Sequence, residues 1–173
     1  GGGTLATNPV QSYVSIGVVE EGTYIFYDHW EDGYEPNLSF PIQSSTEIWG
    51  DGDLSNGVAP GHTNDIFTSS DNVILEESID TLTRQTDIVY DGGDKISAQG
   101  NISMTRLGWA TTSSTLLAGA LEIYPTNNWG TEYEFPVGED YAVNSVFEYT
   151  GFVVQAQEDG TVVQMNLDGI AGY

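Results

Sequence analysis

Apolar residues in this chain come in short runs, and each run is closed by a cluster of glycine, asparagine, aspartate or proline. No stretch sustains the 3.6-residue period of an amphipathic helix. The best helical candidate, 113–123, is interrupted by Gly119 and leads into Leu121-Glu122-Ile123-Tyr124, which alternates like a strand. Strands are therefore expected at 13–19, 23–28, 46–49, 72–76, 87–90, 96–106, 116–124, 131–136, 145–157 and 161–166. Parallel strands need crossovers of a dozen or more residues, usually helical, and none can be placed. The expected fold is all-β: an antiparallel β-sandwich, or part of a larger β assembly, with long acidic loops and little helix.

The chain has 173 residues, enough for one domain that buries roughly 70% of its unfolded surface. Gly1-Gly2-Gly3 and the residues up to 12 read as a flexible arm or linker, and 13–173 as a single β domain. The start without methionine and the ending Leu167-Asp168-Gly169-Ile170-Ala171-Gly172-Tyr173 read as an excised piece, with the domain continuing past residue 173.

Charge is the outlier. There are 26 acidic residues against 3 basic ones, for a net charge of −23, where small soluble domains do well at about 2–8 in magnitude. Bound divalent cations, a high-salt habitat or a cationic partner would each relieve the self-repulsion. Nucleic acid and anionic lipid both require a basic footprint that this sequence lacks. Cysteine is absent, which removes disulfides, thiolate metal sites and a cysteine nucleophile. No apolar run approaches the ~18 residues of a membrane span, so membrane insertion is not expected.

Two stretches concentrate the chemistry. Tyr27-Asp28-His29-Trp30-Glu31-Asp32-Gly33-Tyr34-Glu35-Pro36-Asn37 packs four carboxylates, a histidine and three large aromatics into a loop. Trp49-Gly50-Asp51-Gly52-Asp53 repeats the theme at the head of 50–71, the longest segment without a strand. Calcium wants six to eight oxygens on a loop that can wrap it. Asp28, Glu31, Asp32 and Glu35 form one candidate set; Asp51 and Asp53, with an Asn56 carbonyl, form another. Neither fits the EF-hand loop, whose twelfth position would be His62. Solvated surface acids are the bland alternative. Paired carboxylates also serve glycoside hydrolysis, while Trp30, Tyr34 and Trp49 form a candidate stacking platform for sugar rings. His29, between Asp28 and Trp30, reads as a hydrogen-bonded structural residue, since no His-x-His or His-Glu-x-x-His pattern is present. No Gly-x-Ser-x-Gly elbow or phosphate loop occurs.

One internal echo links the ends of the chain. Glu20-Glu21-Gly22-Thr23 and Glu158-Asp159-Gly160-Thr161 each separate two apolar runs, a hairpin signal that duplication or coincidence would equally produce.

The segments Tyr27-Asp28-His29-Trp30-Glu31-Asp32-Gly33-Tyr34-Glu35, Ile48-Trp49-Gly50-Asp51-Gly52-Asp53, Leu116-Leu117-Ala118-Gly119-Ala120 and Phe135-Pro136-Val137-Gly138-Glu139-Asp140 resemble a module of very large secreted bacterial surface proteins. That module is distantly similar to the amino-terminal domain of IgGFc-binding proteins. The resemblance runs from about Tyr13 to Asp168 and implies an all-β module at the cell surface or in a matrix. It implies a structural or adhesive role and carries no assigned catalytic residue. The leading expectation is an extracellular structural or adhesive module stabilised by calcium, partnering itself or other surface proteins through strand addition. A carbohydrate-binding module is the alternative, with glycans as partners, and a glycan-active enzyme stands behind it.

Overall fold

The computed structural model describes residues 10–78, 87–110, 118–134, 154–158 and 160–165. It divides into two compact units, 1–123 and 124–173. The first unit holds seven strands among its described residues: β1 (Val10–Val18), β2 (Ile25–Asp28), β3 (Glu47–Trp49), β4 (Asn72–Ser78), β5 (Lys95–Ala98), β6 (Ile102–Ala110) and β7 (Ala118–Glu122). They form two antiparallel sheets, a four-stranded one ordered β4-β1-β6-β7 and a three-stranded one ordered β3-β2-β5. The all-β, sandwich-like expectation holds.

Strand alternation explains the core. In β1, Ile16 and Val18 are buried while Ser15 and Tyr13 turn outward; on β4, Val73 and Leu75 are buried beside them. From the smaller sheet come Ile25, Tyr27 and Trp49, and loop residues Ala59 and Phe67 close the cluster. Each large side chain so enclosed contributes about 1.5–3 kcal/mol. β2 departs from alternation because all four of its residues are buried. It is the central strand of its sheet, with the core on one face and loop 29–46 folded over the other.

Several local expectations are corrected. Residues 18–26 do not form a hairpin: β1 and β2 belong to different sheets, and the Glu20–Thr23 turn carries the chain between layers. Val18 and Ile25 face the same core, which a flat hairpin of neighbouring strands would not require. The run 96–106 is two strands, broken where Gln99 N–H donates to Tyr24 O at 3.0 Å and the chain changes sheet. Segment 87–90 is not a strand because side chains have taken its backbone groups, as described below. β1 begins at Val10, earlier than expected.

In the second unit the described residues contain one short 3₁₀ turn, η1 (Thr126–Asn128). Segments 131–134, 154–158 and 160–165 carry no strand. Val162, Val163 and Met165 are 81%, 53% and 55% exposed, so no face there is buried to fix a register. The remaining residues of the strands expected at 131–136, 145–157 and 161–166 lie outside the described ones.

Both copies of the echoed turn are preserved locally. Gly22 and Gly160 each have φ +73°, which favours glycine, and Thr23 and Thr161 each donate Oγ1 to the carbonyl of Glu20 and Glu158 at 2.7 Å.

Candidate functional site

The acidic motif is split by the pleat of β2. Tyr27 points to the core face and Asp28 to the opposite one, and the chain then leaves the strand at His29. On the core side, Tyr27 stacks on Trp49 at 5.0 Å between ring centroids and meets the edge of Tyr90 at 5.1 Å. His29 lies 4.9 Å from Tyr27 and 5.2 Å from Tyr90. Four rings thus enclose a set of polar groups.

Glu47, on β3 one pleat from Trp49, accepts hydrogen bonds from Tyr90 OH (2.7 Å) and Trp49 Nε1 (2.9 Å), and faces His29 Nε2 at 3.5 Å. Asp94 accepts from Tyr27 OH (2.5 Å), Asp91 N–H (3.0 Å) and Trp30 N–H (3.3 Å), and lies 3.7 Å from His29 Nδ1. The side chains of His29 and Asp94 are each only 3% exposed. Val89 ties the cluster together: its carbonyl lies 3.1 Å from His29 Nδ1, and its N–H donates to Glu31 Oε1 at 3.2 Å. Both bonds to side chains take Val89 out of any strand ladder.

The electrostatics follow from enclosure and partners. Burial pushes the imidazolium of His29 towards neutrality, but the hydrogen bond it donates to Glu47 and the charge of Asp94 outweigh it and raise its pKa. Burial likewise works against charge on Glu47, yet bonds from His29, Trp49 and Tyr90 hold its carboxyl below the usual range. For Asp94, burial wins over its donors and the pKa rises. Tyr90 is raised by burial and by its bond to Glu47.

On the other face of β2, Asp28 is fully buried and accepts Glu35 N–H at 3.0 Å. Glu35 is 6% exposed, and its Oε1 gathers Ile42 N–H (2.8 Å), Gln43 N–H (2.5 Å) and Thr46 Oγ1–H (3.0 Å). These bonds fold loop 29–46 onto the sheet. Burial, with Glu35 nearby, raises the pKa of Asp28.

A third cluster sits in the 50–71 loop. Asp65, 4% exposed, accepts Gly50 N–H at 2.6 Å and Gly52 N–H at 2.8 Å. Asp51 accepts Asp53 N–H and Asn56 Nδ2–H, both at 2.8 Å. The Asp51 and Asp65 carboxyls lie close enough to perturb each other. Burial and Asp51 raise the pKa of Asp65, whereas Asp53 N–H and Asn56 offset the burial of Asp51 and lower it.

The sequence-predicted residues are thus distributed over several places. Asp28 and Glu35 come together beneath their loop, and Asp51 and Asp53 with Asn56 and Asp65 in theirs. Glu31 joins His29, and Asp32 accepts a bond from Ser45 on the surface. The expected stacking platform is not assembled as a face. Trp49 is fully buried, Trp30 Nε1 donates to Asp91 at 2.7 Å, and Lys95 Nζ covers the Tyr34 ring at 3.6 Å from its centroid. A surface concavity of about 420 Å³, walled by Gln43, Thr46, Glu47 and Asn56 among others, contains no aromatic ring. Glu47, Asp65 and Tyr90 were missed by sequence reasoning. The signal for Glu47 was a charge alternating in register with a buried tryptophan within a strand.

Comparison with protein-family models, with curated proteins and with solved structures returned no match in any of the three.

Proposed function

We propose that this chain is a structural or adhesive β module of an extracellular surface or matrix protein, with calcium on its acidic loops and self-association through a sheet edge. The observation that carries the reading is how the acidic side chains are used. Asp28, Glu35 and Asp65, at 0%, 6% and 4% exposure, bind backbone amides of their own loops. Carboxylates turned inward to fasten loops are withdrawn from any substrate, which favours a scaffold over a hydrolase.

The sheet edges support association. β4 carries Glu76, a charge that discourages strand pairing. β7, Ala118-Gly119-Ala120-Leu121-Glu122, has one charge and no second partner strand among the described residues, and Leu121 is 69% exposed. Calcium is favoured by the Asp51 loop, where Asn56 Oδ1 is enclosed without a partner among the described residues while its Nδ2 donates to Asp51. The extracellular setting rests on the resemblance noted in the sequence. No helix among the described residues is long and apolar enough to cross a membrane.

Sedimentation velocity over a concentration series, in chelator and in millimolar calcium, tests the association. Concentration-dependent, elongated species are expected; a monomer throughout both series overturns it. Calcium at ten times its dissociation constant adds about 1.4 kcal/mol, a rise of roughly 3–6 °C in Tm at this size. An unchanged Tm would remove calcium from the reading. Glycan hydrolysis abolished by Glu31→Gln or Asp51→Asn would replace the scaffold with an enzyme.

A further inference from the structure

We propose that His29, Glu31 and Asp94 form a binding site for a divalent transition metal, with zinc as the fitting ion. One ligand atom from each residue lies within 4.8 Å of those of the other two. A second observation points to a missing partner: Glu31 Oε2 is shut off from solvent and has no hydrogen-bond partner among the described residues. A carboxylate oxygen in that condition costs free energy unless a cation or donor meets it.

The donor set distinguishes this site from the calcium loop. Calcium takes oxygen ligands alone, whereas an imidazole with two carboxylates suits zinc and its neighbours in the first transition row. The ring is already oriented for the task. Nδ1 faces Asp94 Oδ2 at 3.7 Å, while Nε2 faces Glu47 Oε1 at 3.5 Å. Glu47 is fixed in turn by Tyr90 and Trp49. A metal-bound histidine commonly donates its other N–H to a carboxylate, which sets the tautomer and strengthens the ligand. Glu47 stands where that supporting carboxylate belongs.

Donors about 2.0–2.2 Å from a tetrahedral ion sit roughly 3.4 Å apart, so the Asp94–His29 pair is near the required spacing. Glu31, whose side chain is only partly enclosed, supplies the remaining closure. The Val89 carbonyl, 3.1 Å from Nδ1, is the nearest additional oxygen. All three side chains come from the ends of sheet and loop segments brought together by the β2–β5 pairing, which sets Asp28 opposite Lys95.

The test is isothermal titration of the metal-free protein with Zn²⁺ alone, with ring NMR signals of His29 and His62 followed in parallel. One saturable site per chain is expected, with the His29 signals shifting and those of His62 unmoved. Glu31→Gln is the decisive variant, because its amide oxygen keeps the Val89 bond and the fold; it should weaken zinc at least tenfold. Glu47→Gln should weaken it by about 10–100-fold, as loss of a supporting carboxylate does. Ten millimolar Ca²⁺ should not displace the zinc. Absence of a saturable site, an unchanged affinity in Glu31→Gln, or displacement by calcium would each overturn the proposal, and none of these outcomes bears on the association test above.

Discussion

Replacing Gly50 by alanine tests whether the acidic loop is packed onto the core as tightly as the geometry demands. Gly50 has φ +93°, and a Cβ there would overlap the Thr23 carbonyl oxygen and lie 2.6 Å from Phe67 Cδ2. The carbonyl belongs to backbone and cannot rotate aside, and Phe67 is 2% exposed within the core. The left-handed conformation costs an alanine about 1–2 kcal/mol, and overpacking adds about 1–3 kcal/mol. Together the loss is about 2–5 kcal/mol. Gly52 provides the control: its φ is +88° but nothing lies within 4 Å of its Cβ position, so Gly52→Ala loses only the conformational part, about 1–2 kcal/mol. Urea unfolding of both variants and the parent, with unchanged m-values, reads the difference directly. If Gly50→Ala is no more destabilised than Gly52→Ala, the close approach of the loop to Thr23 and Phe67 is wrong.

Tyr27→Phe removes a charge-assisted bond to Asp94 while keeping the stack on Trp49, and should cost about 1.5–3 kcal/mol in urea unfolding; a neutral result would deny that bond a role. Glu35→Ala should loosen loop 29–46, seen as faster amide exchange at Ile42 and Gln43, whereas Glu35→Gln retains an acceptor and should be milder; equal effects would contradict the three-donor arrangement. Stability should depend on pH in two directions. Asp28, Asp65, Asp94 and His29 have folded pKa values above their unfolded ones, so the native state takes up protons first and Tm rises as pH falls towards and through those raised values. Glu35, Glu47 and Asp71 are held below their usual values, so their contribution is lost as pH falls below about 4. A Tm that falls over the whole range of those raised values, or an acid-side rise that is no smaller in Asp28→Asn than in the parent, would refute the assignment.

The fold class was legible because period-2 alternation is a local property: Ile16 and Val18, or Val73 and Leu75, declare a buried face within a few residues. Sheet membership was not, because partners are chosen over long distances. Nothing near Gly22 says that β1 and β2 part company there; that decision is made by β4 and β6, which pair with β1. The acidic loops were visible as composition, but the roles of their acids depend on what lies across the fold. Glu31, Asp32 and Glu35 are near neighbours in sequence, yet they bond to Val89, Ser45 and the 42–46 segment respectively. Trp49 looked like an available ring beside a loop, but strand pairing with Ile25 delivers it to the core.

The position of β1 has a consequence for the order in which the molecule can be built. It is the earliest strand among the described residues, yet it lies inside its sheet, with Val14 opposite Leu75 on one side and Arg106 on the other. Pairings of that sequence separation close large loops before they gain contacts, which places the fold among the slow ones. At a synthesis rate of roughly 5–20 residues per second, β1 must wait several seconds for β6 to emerge, holding Ile16 and Val18 without their final cover. A chain terminated at residue 101 would leave one side of β1 bare, so the four-stranded sheet forms only after the last strands of the first unit have been made.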